Sequence, residues 1–125
     1  MVGGDTVIGW LVDPGERAAL LVRLPPTYSN VVAHHVTLRS KSSTAAPLPP
    51  AATCEIVGRA NDGAGVEAMV VKIDGTTDRP DGSTFHITWS LAEGRRARES
   101  NDVIAARGWS PLPEPIPVTV RPARF

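Results

Sequence analysis

The 125-residue chain has the length of one ordinary domain, and its 42% hydrophobic content suffices for a single core. Thirteen basic residues balance thirteen acidic ones, so no overall field exists to hold long nucleic acid by phosphate neutralisation, while a small phosphate ligand stays open. The single cysteine, Cys54, excludes an internal disulfide, and no apolar run approaches the roughly 20 residues of a membrane span. The stretch Met1-Val2-Gly3-Gly4-Asp5 lacks the basic start and long apolar core of a secretory signal, so the expectation is a cytoplasmic protein without membrane association.

The run Val7 to Val12 predicts a first strand, stopped by Asp13-Pro14. Asp13 caps a helix of about three turns, with Pro14 in the first turn and Glu16 placed as in a capping box. Ala18, Leu21 and Val22 are its expected core positions, and Pro25-Pro26 ends it. Tyr28 lies in the polar turn Thr27-Tyr28-Ser29-Asn30, before a strand that carries His34 and His35. Ser40 to Ala52, rich in Ser, Thr, Pro and Ala, reads as a surface loop. Cys54–Arg59 and Val66–Ile73 flank Asn61-Asp62-Gly63-Ala64-Gly65, residues that tolerate positive φ, and so form a β-hairpin with Met69, Val71 and Ile73 on one face. A second loop, Asp74 to Ser83, leads into a strand containing His86. Ser100-Asn101-Asp102 opens a short helix that Gly108 closes. Ile116, Val118 and Val120 alternate with Pro117, Thr119 and Arg121 in a last strand that its prolines place at a sheet edge. The result is one α+β domain of about six strands and two helices.

Within two of these strands a pattern repeats: His35-Val36-Thr37-Leu38 and His86-Ile87-Thr88-Trp89. Side chains alternate across a strand. His86, Thr88 and Ser90 would therefore share one face and Phe85, Ile87 and Trp89 the other. His35, Thr37 and Arg39 would likewise oppose His34, Val36 and Leu38, which sets His34 on the core side as a hydrogen-bonded structural residue. Two imidazoles and two hydroxyls can then converge on one cleft.

This paired His-x-Thr pattern resembles the two-histidine (2H) phosphoesterase superfamily, which includes cyclic nucleotide phosphodiesterases, RNA 2′-5′ ligase-like proteins and the cyclic phosphodiesterase domain of fungal tRNA ligases. Val31 to Leu38 and Phe85 to Gly108, with Ser100-Asn101 and Trp109, are also similar to small bacterial proteins of this kind. The two motifs lie closer together than in larger members, so the resemblance is to a compact, atypical one. It implies a concave, mainly antiparallel sheet in which the motif strands lie side by side. It also implies that His35, Thr37, His86 and Thr88 surround a phosphate.

Opening a cyclic phosphate requires water to lose a proton and the leaving ribose oxygen to gain one. One neutral and one protonated imidazole meet both needs near neutral pH without a cofactor or metal, and threonine hydroxyls can hold the non-bridging oxygens. Arg39 on the same strand face, Arg95 and Arg96 after the second motif, Tyr28 at the cleft rim and the helix start at Ser100 are candidate substrate contacts. The expected partner is a cyclic nucleotide or an RNA terminus. Arg39, Lys41, Arg95, Arg96 and Arg98 along an open groove would favour RNA. A phosphate-binding module without turnover and a 2′-5′ ligase-like activity are the alternatives.

Other motifs carry less. Adjacent histidines on a strand point to opposite faces, which disfavours a metal shared by His34, His35 and His86. Asp74, Asp78 and Asp81 do not have calcium-loop spacing and read as turn residues. Cys54 reads as a buried small hydrophobe. Gly63-Ala64-Gly65 lacks the Lys-Ser/Thr pair of a phosphate loop.

Overall fold

In a computed structural model, which describes residues 6–42 and 46–125, the apolar runs become strands and the two segments read as helical become helices, the first with a side-chain cap and the second without one. In chain order these are β1 (Thr6–Val12), α1 (Pro14–Arg23), β2 (Asn30–Val31), β3 (His35–Ser42), β4 (Cys54–Asn61), β5 (Val66–Ile73), β6 (His86–Leu91), α2 (Glu99–Arg107), β7 (Ser110–Val118) and β8 (Val120–Arg124). Met1 to Asp5 and residues 43–45 of the expected surface loop lie outside the described residues. All pairings are antiparallel, in the order β7-β4-β5-β6-β3-β1-β8, with β2 added to β6. The domain is thus α+β, and its two motif strands are neighbours. Among the described residues, no helix is long and apolar enough to cross a membrane.

The two edge strands, β7 and β8, are separated in sequence by Thr119 alone. Consecutive Cα atoms are about 3.8 Å apart, so the sheet must curl until its edges meet there. The start of α1 pins the junction. The Asp13 N–H donates to the Thr119 carbonyl, and the Thr119 N–H donates to Glu16 Oε1, both at 2.9 Å. Glu16 therefore serves the junction of β7 and β8 rather than closing a capping box, although Asp13 does cap, accepting from Glu16 N–H at 3.0 Å. In β7, prolines 111, 113, 115 and 117 fall on every second residue. A proline has no N–H to give a ladder, which suits an edge strand, and the pairing of β7 with β4 is irregular between Pro111 and Ile116.

Eight strands form where six were expected, because β2 is an additional short segment and the expected last strand is broken at Thr119 into β7 and β8. α1 is rotated from its expected phase. Leu20 is buried and Leu21 and Leu24 pack on the core, whereas Ala18 is exposed and Val22 is 81% exposed. Arg17 explains the rotation: its Nε donates to the Ala33 carbonyl at 3.1 Å and its Nη2 to the Val32 carbonyl at 3.0 Å. That contact fixes the stripe 17, 20, 21 and 24 against the sheet, an i, i+3, i+4, i+7 pattern. The loop after β3 is tied down at Pro50, whose carbonyl accepts the Trp10 indole N–H at 3.0 Å, and Pro49 is buried.

Each sheet face has its own apolar cluster. Trp10, Val36, Met69, Val71, Ile87, Trp89 and their neighbours form the larger one beneath α1. Ala60, Val66, Ala68, Val70 and Leu91 meet Val103 and Ile104 of α2 on the other. Cys54 is buried in the first cluster, which pushes its thiol up to about 12 and leaves it inert.

Candidate active site

β3 and β6 share one bridge, Val36 to Ile87, in contrast to the long ladders joining β4 to β5 and β1 to β3. The motif strands thus touch and diverge, which opens a cleft between them. The register is also informative: with Val36 opposite Ile87, His35 lies across from Thr88 and Thr37 across from His86. The two histidines are diagonal neighbours, about 7–8 Å apart by strand geometry. All four motif side chains line a cleft of about 260 Å³, with Ser40, Arg79, Ala97, Arg98 and Asn101 among its other walls.

Two β-bulges decide which neighbours join them. Gly9 pairs with Thr37 but Ile8 pairs with Arg39, so β3 carries an extra residue at Leu38 and its alternation reverses. Ser40 then faces the cleft, and Arg39 is exposed beside a separate groove. Gly9 permits this close approach, since a Cβ there would meet the Val36 carbonyl at 2.1 Å. On β6, Ala68 pairs with Thr88 but Glu67 pairs with Ser90, so the extra residue Trp89 sends Ser90 to the α1 face. Ser90 donates to Glu67 Oε1 at 2.6 Å and does not share the cleft with Thr88.

The other expected contacts are placed elsewhere. Tyr28 bonds Asn61 Oδ1 at 2.7 Å, and Arg95 is held by Asp62 at 2.9 Å and Glu99 at 3.1 Å. Arg96 is exposed and absent from the cleft wall; its N–H donates to Glu99 Oε2 at 2.7 Å. The second helix begins at Glu99, one residue before the expected start, and Gly108 closes it as expected. Ser100 is fully buried behind Thr88, with the two hydroxyl oxygens 2.9 Å apart. It therefore orients Thr88 rather than meeting a ligand. When Ser100 donates to Thr88, the Thr88 proton can leave its long 3.3 Å contact with the Ala97 carbonyl and point at an oxygen in the cleft. Among the described residues, the Thr37 hydroxyl has no hydrogen-bond partner.

Sequence reading missed Arg79. It is only 6% exposed, its Nε donates to the Leu38 carbonyl at 3.1 Å, and its Nη2 lies 3.4 Å from Asp81. Its remaining N–H groups are left for the cleft it lines. Asp81, expected only to turn the chain, does so by accepting from Ser83 and also steadies this guanidinium. The available signal was an arginine inside a turn sequence, Asp78-Arg79-Pro80-Asp81-Gly82, a few residues before a motif strand. With Arg79 and Arg98 on its wall and no carboxylate among its described lining residues, the cleft suits an anion.

No family model, curated protein or solved structure matches this chain.

The two imidazoles are held differently. His86 Nδ1 lies 2.9 Å from the Thr84 carbonyl. A carbonyl can only accept, so Nδ1 carries a hydrogen and Nε2 is left for the cleft. Burial lowers the proton affinity of His86, the Thr84 carbonyl opposes that shift, and Arg79 adds to it. For His35, burial and the neighbouring His34 and His86 rings push the pKa down to about 4. His34 is not on the core face: it precedes the strand and is exposed, with its Nδ1 3.0 Å from His35 Nδ1. Alternation fails there because Ala33, before it, has φ of 44°. Ala33 is held in that conformation by its N–H bond to the Thr88 carbonyl at 2.9 Å and by Arg17 on its own carbonyl. The geometric objection to two adjacent histidines meeting therefore does not hold at this position.

Proposed function

We propose that the protein is a phosphoesterase that opens a cyclic phosphate, either a 2′,3′-cyclic nucleotide or an RNA end carrying one, by paired imidazole acid–base chemistry. The observation that carries this reading is the meeting of His35, Thr37, His86 and Thr88 with buried Arg79 in one cleft. In it, the Thr37 and Thr88 hydroxyls and the Arg79 guanidinium hold the non-bridging oxygens. His35, neutral over most of the pH range, takes a proton from the attacking water. His86, whose charged form the Thr84 carbonyl favours, protonates the leaving ribose oxygen. The buried Asn101 Oδ1, unpartnered among the described residues, offers an acceptor to a ribose hydroxyl.

Of the basic residues whose presence along the groove would favour a polymer, Arg98 lines the cleft and Arg39, Arg95 and Arg96 do not. That favours a nucleotide or a chain end over an extended RNA tract. The chemistry calls for no cofactor or metal and no protein partner, and a cytoplasmic setting completes the reading.

A second reading, a phosphate-binding module without turnover, is favoured by one observation. Both motif imidazoles are shifted downward, which lowers the share of each that is charged at neutral pH. Phosphorus NMR of 2′,3′-cyclic nucleotides and of a short RNA ending in a cyclic phosphate, with EDTA present, separates the two. Conversion to a single monoester supports the esterase. Tight binding with no conversion between pH 4.5 and 8 replaces it with the module. For the esterase, kcat/KM is expected to be bell-shaped with its maximum on the acid side of pH 6.5, falling near pH 4 as His35 takes up a proton and falling again as His86 loses its own.

A further inference from the structure

We infer that His34 is the proton conduit between His35 and solvent, a third histidine that acts through the motif histidine beside it. The inference rests on the acid–base reading above and on geometry. The two Nδ1 atoms are 3.0 Å apart, which requires one of them to carry a hydrogen. The rings stand edge to face, with centroids 5.2 Å apart. The Phe125 ring packs on both, 4.3 Å from His35 and 6.0 Å from His34, and so fixes their mutual orientation. His35 is largely buried on the cleft wall and His34 is exposed. The left-handed turn at Ala33, conformationally costly for a residue with a Cβ, is what brings the second ring to this position.

The arrangement answers a difficulty in the chemistry. A base that burial and two neighbouring imidazoles hold near 4 grips a water proton weakly. His34 relieves this by accepting charge where water can solvate it. Before reaction, His35 carries its hydrogen on Nδ1 and donates it to the His34 Nδ1 lone pair, while His34 carries its own hydrogen on Nε2. As the water oxygen bonds to phosphorus, its proton passes to His35 Nε2 and the His35 Nδ1 hydrogen passes to His34 Nδ1. His35 ends neutral, and the positive charge sits on His34, which releases a proton to solvent. The bond from phosphorus to the ribose oxygen breaks, and His86 supplies the proton to that oxygen. Solvent returns a proton to His86, and once product has left the pair resets with no further net loss: His35 Nε2 gives its proton to solvent, the Nδ1 hydrogen passes back from His34 to His35, and His34 Nε2 takes one proton from solvent. Besides His34, the titratable or charged groups beside His35 in the cleft are His86 from β6, Arg79 from the loop before it and Arg98 at the start of α2. None of these is a carboxylate that would hold the proton on His35.

The test pairs a direct readout with a kinetic one. In protein labelled with ¹⁵N at histidine, a coupling across the hydrogen bond between the two Nδ1 nuclei is expected. Its absence from pH 5 to 8 overturns the inference whether or not the protein has any activity. On 2′,3′-cyclic AMP, His34→Asn keeps a hydrogen-bonding atom near Nδ1 but cannot relay a proton. It is expected to lower kcat about tenfold, less than the 10² to 10⁴ of a direct proton-transfer group, with little change in KM and with the acid limb of the kcat profile moved to higher pH, since the His34 ring is one of the groups that push His35 down. His34→Ala is expected to regain activity with added imidazole. An unchanged kcat in His34→Asn, or a loss confined to KM with no limb shift and no imidazole rescue, makes His34 a structural neighbour only. Failure of the wild-type protein to turn over any cyclic phosphate overturns the esterase reading separately.

Discussion

Two buried polar clusters occupy opposite faces of the same sheet, and they differ in what is left unpaired. Around Glu67, which is fully buried on β5, every oxygen is engaged: Ser90 donates at 2.6 Å, the Thr27 N–H and hydroxyl each donate at 2.9 Å, and Arg59 closes the ring. Burial pushes this carboxyl up, but those donors together bring it below its ordinary value. In the cleft, the same kinds of side chain are held from behind by Ser100, Thr84, His34 and Leu38, and their remaining donors and acceptors face empty space. A cluster whose carboxylate is fully engaged, with the Arg59 Nε left unpartnered among the described residues, fixes the fold, here by anchoring the segment between α1 and β2. A cluster satisfied on one side alone is prepared for a ligand.

Substitutions can separate these roles. His35→Ala or His86→Ala is expected to reduce kcat by about 10² to 10⁴, with thermal stability equal to or above wild type because a desolvated imidazole is removed. A variant that unfolds instead would assign that histidine to the structural cluster. Arg79→Gln, which removes the buried charge but keeps an amide, is expected to lower kcat/KM by about 10- to 100-fold, the value of a charge-assisted bond. Equal kinetics would place Arg79 outside the ligand's reach. Glu67→Gln is expected to cost about 1–3 kcal/mol in denaturant unfolding, with unaltered turnover in the folded fraction. Ser100→Ala should reduce kcat about three- to tenfold through loss of one neutral hydrogen bond to Thr88, and Ser100→Thr, if it folds, should restore the bond and the rate.

Acid unfolding gives the mildest and most direct contrast. His35 has a folded value near 4 against an ordinary 6.5, so the unfolded chain binds its proton first. The contribution is complete above about pH 6.5, declines as pH falls toward about 4, and is flat below that. Glu67 is depressed, so its contribution is present above the ordinary carboxyl value of 4.5 and is lost as pH falls through the lower folded value. Stability measured from pH 7 to 2 should thus have a shallower upper slope in His35→Phe, where His86 still contributes, and a shallower lower slope in Glu67→Gln, where Asp62 and Asp81 still contribute. Identical slopes in both variants would refute the division.

Much of the fold was legible because local chemistry agreed with the final structure. Asp13-Pro14 did start α1, Gly108 did end α2, and Asn61 to Gly65 did turn a hairpin. The motif strands were legible for the same reason, with Val36 and Ile87 inside and the histidines and threonines on the opposite face. The failures have tertiary causes. Arg39 and Ser90 were assigned by strict alternation, and bulges at Leu38 and Trp89 reversed them. Val22 was placed inside α1 by apolarity, and Arg17 bonding the carbonyls before β3 turned the helix instead. Tryptophan 109 shows the same limit, since its ring lies against Gly58, where a Cβ would approach it to 2.0 Å, and is 37% exposed away from the cleft.

By itself, the sequence determined that two imidazoles and two hydroxyls share a strand face, because side-chain alternation over three residues needs no partner strand. The tertiary structure decided that the two strands are neighbours, that their register sets each histidine across from the other motif's threonine, and that Arg79 enters the cleft while Arg39, Arg95 and Arg96 stay out. Those facts depend on bulges, loop paths and ion pairs between residues far apart in the chain, and such long-range contacts leave no periodic trace in the sequence.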